Sequence, residues 1–370
     1  MDKFQNPFSV SGYTQPAQFC GREKESEALM QAWTKGKHAT LTSLRNVGKT
    51  TLINHLFERM KSRKGVRTFL VDVYPAQSQA DFLLILASQT LGKLDDNHIR
   101  LMRELANYFT HLRPMIRYDA LSGSPAIGFT LDHTFQFEHT LEQILTYLDR
   151  SGSQTVLAFD EFQQILTFRE KNTEAIVHAL LRKTKNLRVV FSASTSEAWK
   201  KSLSNAFYQQ TELLHLEFPE HEEYVAFILH HFTDGKRKLS QENAERLVDW
   251  CRGHTRFVQT VCNRLYGRDI KQPDAWYIER LFQDILQENQ SFYFTIRNLL
   301  TLNQWLLLKG IARENGARMV MGAEFVRRYD LGTPSSVQTA LLALQEKELV
   351  YEEDGRWWLQ DVFLSRWLEA

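Results

Sequence analysis

The sequence predicts an α/β protein with a parallel-sheet core, a helical domain after it and a winged helix-turn-helix at the C-terminus. Three observations carry that prediction. A short strand, HATLTS, passes through the loop LRNVGK into the helix TTLINHLFERMKSRK. Apolar strands then alternate with amphipathic helices, as in a parallel sheet covered on both faces. Beyond residue 290, three helices lead into a hairpin.

The elements follow in order. An irregular arm, QNPFSVSGYTQPAQFCGRE, turns into the helical pattern REKESEALMQAWTKG. In the helix after the glycine-lysine loop, Leu52, Ile53, Leu56, Phe57 and Met60 recur at helical spacing. TFLVDVY (68–74) reads as a buried strand, followed by a loop at Pro75 and a helix starting at Ala80. Residues 95–150 hold a helix, a loop-rich stretch with Gly123, Pro125 and Gly128 compatible with a hairpin, and the helix LEQILTYLDR. TVLAFDEF (155–162) and RVVFSAS (188–194) are strands on either side of a helix near 173–184. From Glu220 only helices follow: EYVAFILHHF, SQENAERLVDWC and RFVQTVCNRLYG. The last part reads helix LLTLNQWLLLKGIA, helix GAEFVRRYD, turn LGTP, helix SSVQTALLALQEKE, and a hairpin turning at Asp354-Gly355. The expected domains are therefore 1–218 (core with its N-terminal arm), 219–290 (helical lid) and 291–370 (winged helix).

Composition excludes several classes. With 370 residues, 43% hydrophobic and 24% charged, the chain is neither disordered nor collagen-like nor of low complexity. A net charge of +1 gives no global pointer to nucleic acid or acidic membranes, so any polyanion site is local. Cys20, Cys251 and Cys262 match no zinc or redox spacing and read as reduced thiols packed as small hydrophobes. No apolar signal core and no membrane-length apolar run appears, so the expectation is a soluble cytoplasmic protein. The histidines form no metal signature, and no nucleophile elbow suggests acyl transfer.

Phosphate binding needs backbone N–H groups at a helix N-terminus, a glycine that lets the backbone approach, a lysine for the β and γ oxygens and a hydroxyl for Mg²⁺. Ser43-Leu44-Arg45-Asn46-Val47-Gly48-Lys49-Thr50 supplies all but the first glycine, whose place Ser43 takes. Val156-Leu157-Ala158-Phe159-Asp160-Glu161 is a buried strand ending in two carboxylates, one for a metal shell and one for a water. Either segment alone is compatible with an ordinary helix cap. In this order, with a strand between them, they point to a nucleoside triphosphate site.

Asn6-Pro7-Phe8, Phe19-Cys20-Gly21-Arg22-Glu23, the phosphate loop, the Asp160-Glu161 strand, Phe191-Ser192-Ala193-Ser194, Phe207-Tyr208, Gly253-His254-Thr255-Arg256-Phe257-Val258-Gln259 and the winged helix occur in the order seen in the archaeal-type ATPases. The chain resembles that branch of P-loop NTPases, near the STAND and AAA+ proteins, over nearly its whole length. The resemblance implies that Gly21, Arg22 and Glu23 lie against adenine and ribose. Arg45, Asn46, Val47, Gly48, Lys49, Thr50 and Thr51 would cradle the phosphates of ATP or ADP, with Thr50 and Asp160 on Mg²⁺ and Glu161 orienting water. Ser194 falls where a γ-phosphate sensor is expected, or is a strand-terminal turn serine. Arg256 resembles the sensor arginine of AAA+ lids, or is a solvated arginine at a helix start. One departure stands out: relatives carry an arginine after the Phe-Tyr pair, whereas this chain has Gln209-Gln210. That implies slow hydrolysis or an arginine lent by a partner.

A winged helix invites a DNA-binding reading, which charge tests. Residues 291–370 hold nine Lys/Arg against ten Asp/Glu. The third helix has its only cation, Lys347, at its far end, and the hairpin carries Glu352, Glu353 and Asp354. Arg327 and Arg328 are the sole basic pair. Docking of an unidentified protein is therefore expected, with one ring of Trp357-Trp358 in the core and the other available to a partner. Three readings remain: an ATP-driven switch with slow turnover through Lys49 and Glu161, a DNA-directed loader or transposition-type ATPase that oligomerises, and a scaffold that binds nucleotide without turnover.

Overall fold

The computed structural model describes residues 6–10, 19–94, 97–118, 123–150, 154–268 and 270–369. It divides into two compact units, one within 12–217 and the other joining 1–11 to 218–370. Residues 11–18 of the predicted arm lie outside the described residues.

The first unit is built on five parallel strands: β1 (Ala39–Ser43), β2 (Val66–Asp72), β5 (Gln154–Asp160), β6 (Leu187–Ser194) and β7 (Glu212–Leu216), in the order β2-β5-β6-β1-β7. Helices α1 (Glu23–Thr34), α2 (Lys49–Lys61), α3 (Gln79–Gln89), α5 (Phe137–Arg150), α6 (Thr173–Leu181) and α7 (Glu197–Leu203) connect them. The five apolar positions expected of α2 are all buried. β1 is buried at every residue although it is polar, because its hydroxyls find partners: Thr40 Oγ1 lies 2.7 Å from Thr211 Oγ1, and Thr42 Oγ1 3.3 Å from Thr195 Oγ1. The edge strand β7 alternates between exposed and covered residues; this half-wetted pattern hides it from a search for apolar runs. Between α4 (His98–Tyr108) and α5, the strands β3 (Leu112–Tyr118) and β4 (Pro125–Leu131) form the hairpin that Gly123 and Pro125 suggested.

The second unit holds α8 (His221–Asp234), α9 (Gln241–Trp250) and α10 (Thr255–Gly267). The long helix α11 (Ala275–Asn298) then runs through residue 290 without a break, so the expected boundary at 290/291 falls inside a helix. The winged helix comprises α12 (Leu302–Arg313), α13 (Ala323–Arg328), α14 (Pro334–Glu346), β8 (Val350–Glu353), β9 (Arg356–Leu359) and α15 (Val362–Glu369). Thr301 with Gln304 and Thr333 with Ser336 form reciprocal caps at the starts of α12 and α14.

Two expectations change here. Residues 6–10 pack with the helices of this second unit rather than with the sheet: Phe8 is buried among Phe227, His231, Phe232 and Tyr266, and Asn6 Nδ2 donates to the Asn263 carbonyl. Burial of one large ring decides the placement. The two wing tryptophans do not divide into one core and one free ring, for both are half-buried. The Trp358 ring occupies the space beside Gly316 and lies under the Arg252 guanidinium, while the core position goes to Leu359.

The helical layer and the winged helix share one packing network. The Trp250 ring stacks on Phe282 and meets Phe363. Arg252 donates to Asn315, Ser365 and Glu369, and Arg366 donates to the Trp250 and Asp249 carbonyls. Cys251 and Cys262 are buried and Cys20 is half-buried. No helix among the described residues is long and apolar enough to cross a membrane.

Burial holds three histidines neutral, lowering His38 to about 4 and His178 and His254 to about 3, against 6.5 in the open chain. The unfolded chain binds more protons than the folded one between those values, so stability is lost as pH falls below 6.5. Neither ring nitrogen of His178 has a hydrogen-bond partner among the described residues, and the ring stacks on Phe207 at 3.9 Å. His178→Phe is therefore expected to raise the urea midpoint at pH 7 and to flatten its decline towards pH 5; an unchanged decline would assign the acid sensitivity elsewhere. Phe8→Ala is expected to cost about 3–5 kcal/mol in the same measurement, as for other buried rings.

Candidate functional site

The site grows from the carboxyl ends of adjacent parallel strands. The register pairs Ser43 of β1 with Ser194 of β6, and Phe159 of β5 with Phe191 of β6. These pairings bring the phosphate loop, Asp160 and Ser194 to one edge, the position at which open α/β sheets bind ligands.

Ser43 is fully buried and its φ is not positive, so a side chain is tolerated where the phosphate-loop pattern has its first glycine. Its Oγ donates to the Leu44 carbonyl and accepts from Lys49 Nζ at 3.2 Å. The left-handed positions of the loop are Asn46 and Gly48, and α2 begins at Lys49. Val47 is buried, which anchors the loop. The Lys49 ammonium, itself buried, also donates to the Leu44 carbonyl and to Ser194 Oγ at 3.1 Å. Thr50 Oγ1 donates to Asp160 Oδ2 at 2.5 Å, and the next residue, Thr51, is half-buried in the first turn of α2.

Asp160 Oδ1 accepts from Ser192 Oγ at 2.6 Å and from the Glu161 amide. Glu161 sits in the left-handed region at φ 51°, a conformation that costs a non-glycine residue free energy and is held by its neighbours. Gln163 Nε2 donates to Glu161 Oε2 at 2.6 Å, while Gln163 Oε1 accepts from the Ser194 amide at 3.0 Å. Ser194 Oγ lies 3.2 Å from Glu161 Oε2, and Arg45 Nη2 lies 3.8 Å from the same oxygen. The Arg45 guanidinium also covers the Tyr74 ring. At the end of β2, Asp72 pairs in register with Asp160. Desolvation, with the charges of Asp160 and Glu161, raises its carboxyl above the usual range.

Lys49, Thr50, Asp160, Glu161, Arg45 and Ser194 thus meet in one cluster. Sequence reasoning missed Gln163, Ser192 and Asp72. The Ser192–Ser194 alternation was a usable signal, since residues two apart share a strand face. For Gln163 there was none, because its role depends on a turn that only the fold creates.

Gly21, Arg22 and Glu23 lie at the start of α1, with left-handed φ at Gly21 and Arg22. Arg22 is tied to Glu25 and to the Glu217 carbonyl. Arg256 belongs to the second unit, exposed in the first turn of α10, where its charge acts on Asp361. His254, two residues before it, is buried with Nε2 3.4 Å from the Tyr351 hydroxyl of β8.

The winged helix carries its charge as expected. Glu352, Glu353 and Asp354 are exposed, α14 has no Lys or Arg, and Arg328 is held by Glu314 and Glu324.

Comparison with known proteins follows the same lines. An AAA domain is recognised over residues 34–201 and a probable winged helix domain over 291–370. No curated protein matches the sequence. The fold is similar to that of the Walker-type ATPase PABY2304 of Pyrococcus abyssi, with a TM-score of 0.68 and 14% identity over 98% of this chain and 100% of that one. It is similar also to ORC2 of Aeropyrum pernix, solved in ADPNP-ADP complexes, with a TM-score of 0.58 and 13% identity over 99% of this chain and 97% of that one. ORC1 of the same organism, solved in complex with DNA, gives 0.53 and 14% over 98% and 96%. The chain thus carries an AAA domain and a probable winged helix domain, on a fold similar to that of archaeal Walker-type and ORC proteins.

Proposed function

We propose that this protein binds ATP with Mg²⁺, hydrolyses it slowly and uses the cycle as a conformational switch. In this reading the ATPase core lies within 12–217, the helices from α8 to α11 form the lid and the winged helix that follows is a protein-docking module. The observation that carries it is the Lys49–Ser194–Glu161–Gln163 network, which links the phosphate-binding lysine to the carboxylate that would act on water.

The residues fit the chemistry. Lys49 would bridge the β and γ phosphate oxygens, and loop residues 45–51 would hold the rest of the triphosphate. Thr50 Oγ1 and Asp160 Oδ2 are adjacent hard oxygens of the kind Mg²⁺ takes alongside phosphates. The ion, when bound, supplies charge neutralisation at the phosphates. Glu161 would orient the attacking water and take its proton, and Gln163 fixes where that carboxylate stands. Ser194, bonded to both Lys49 and Glu161, would serve as the γ-phosphate sensor. Gly21, Arg22 and Glu23 would border the base and ribose, and Arg256 would report γ-phosphate to the lid. Gln209 and Gln210 are exposed neutral residues after the buried Phe207 and Tyr208, so turnover would be slow or would borrow an arginine from a partner. The acidic wing supports a protein rather than duplex DNA as its partner, and three cysteines at spacings that match no disulfide or zinc framework suit a cytoplasmic setting.

Steady-state hydrolysis and fluorescent-nucleotide binding test this reading together. Lys49→Ala is expected to lose nucleotide affinity. Glu161→Gln is expected to retain affinity and to lose turnover by about 10²-fold or more. Gln163→Ala is expected to lower kcat by roughly ten- to a hundredfold with affinity unchanged, the cost of a misplaced base. Tight binding with no turnover in the wild type would leave the scaffold reading standing instead.

A further inference from the structure

In a phosphate loop the backbone N–H groups cradle the ligand, so the side chain of Arg45, within Ser43-Leu44-Arg45-Asn46-Val47-Gly48-Lys49-Thr50, has a separate use. It turns towards the candidate base. Arg45 Nη2 lies 3.8 Å from Glu161 Oε2, with the two side chains 26% and 22% exposed. The same guanidinium covers the Tyr74 ring, 5.3 Å from its centroid. Tyr74 stands two residues past the end of β2, where its amide donates to Asp72 Oδ1 at 3.0 Å, and it is 54% exposed. An aromatic face attracts a cation laid over it, so the ring is a shelf that sets where the guanidinium stands.

The charges of the cluster give this cation a task. Asp72 and Asp160 are paired in register and Glu161 follows, so three carboxylates border the place where a triphosphate would enter. Lys49 and Arg45 stand at opposite ends of one chain of contacts: Lys49 Nζ to Ser194 Oγ at 3.1 Å, Ser194 Oγ to Glu161 Oε2 at 3.2 Å, and Glu161 Oε2 to Arg45. The lysine end would meet the β and γ oxygens. The arginine end lies past the carboxylate that would orient water, and so would face the γ-phosphate from the side of attack. After Phe207-Tyr208, where a cation could have served, Gln209 and Gln210 are neutral.

We infer that Arg45 is a catalytic arginine supplied within the chain and that Tyr74 is its positioning residue; the inference rests on the reading of Glu161 as the base. In the step, the water oxygen bonds to the γ-phosphorus. The bond from that phosphorus to the β–γ bridging oxygen breaks, its electron pair stays on ADP, and Glu161 takes the proton of the water. Arg45 remains protonated throughout. As the proton neutralises Glu161, the guanidinium loses its carboxylate partner and is drawn to the phosphoryl oxygens and the leaving oxygen, where charge develops. A contact that strengthens as the reaction proceeds acts on kcat more than on binding.

Steady-state ATP hydrolysis by the full chain tests it, with fluorescent-nucleotide affinity and the urea midpoint read on every variant. Arg45→Ala is expected to lower kcat by about 10²-fold or more, while affinity for ATP changes by less than about fivefold. Guanidinium ion, added well below denaturing concentrations, should restore part of that turnover and none to Glu161→Gln, which separates a missing cation from a folding defect. Arg45→Lys, which keeps the charge without the planar fork, should recover part of the loss. Tyr74→Leu is expected to lower kcat by about tenfold, and Tyr74→Phe, which keeps the ring, to restore it. Turnover of Arg45→Ala within about twofold of wild type would overturn the assignment and leave Glu161 as the base. Affinity and turnover lost to the same degree would overturn it too, since Arg45 would then be a ground-state phosphate ligand. So would a wild-type rate per molecule that climbs with protein concentration and does so equally in Arg45→Ala, the mark of an arginine lent by a second copy. Absence of wild-type turnover would overturn the hydrolytic reading and this assignment together.

Discussion

The register of β1, β5 and β6 is the constraint on which the nucleotide site depends. Parallel pairing places Ser43 beside Ser194, and Asp160 beside the end of β6, so that a lysine, two carboxylates and two serine hydroxyls meet where the strands stop. A slip of one residue would turn each side chain to the opposite face of the sheet. The apolar residues of β5 and β6, buried on both faces, resist that slip, because it would break their packing on the helices of either layer. Core packing and site geometry are therefore one requirement, met by the same strands.

Burial then determines how the site behaves. Lys49 is about 5% exposed, and a buried ammonium is held only when oxygen acceptors surround it. Ser43 Oγ, the Leu44 carbonyl and Ser194 Oγ do so here. Phosphate oxygens would be stronger acceptors than these neutral ones, since charge-assisted hydrogen bonds are the stronger kind. Their arrival would draw Lys49 away from Ser194 and leave that hydroxyl to respond. Because Ser194 also contacts Glu161, whose carboxylate is held by Gln163, exchange of acceptors at the lysine would reach that carboxylate two bonds of the network away. No long-range signal would be required for nucleotide to act on Glu161.

Much of this was legible in the sequence where short-range rules govern. Gly48-Lys49-Thr50 at a helix start and Asp160-Glu161 at the end of an apolar strand carry their chemistry in consecutive residues. The periodicity of α2 and the capping boxes of the winged helix are likewise local. What was not legible depends on tertiary placement. Gln163 acquires a role only because the turn after β5 points it back at Ser194. Phe8 sits in an irregular segment with no period, and only the aromatic cage of α8 and α10 shows which unit claims it. For Trp357 and Trp358 the alternation was real, but Gly316 made room for a ring that the rule sent to solvent.

Within the second unit, Arg256 occupies a particular mechanical position. It follows His254, whose ring is packed on Phe218 and reaches Tyr351 of the wing, and its charge acts on Asp361 at the start of α15. Two residues before His254, Arg252 is held by Glu369, Ser365 and Asn315. These bonds, with the Trp250–Phe282 stack and the unbroken α11, leave little freedom between the helical layer and the winged helix. Removing one partner of a largely buried ion pair is costly because the remaining charge stays desolvated, so a displacement of α10 is carried into β8, β9 and α15 more readily than it is absorbed between them. A helical layer built this way would not need a separate linkage to the winged helix. The element that bears the candidate sensor and the element that would meet a partner are packed as one body, and what one does the other must follow.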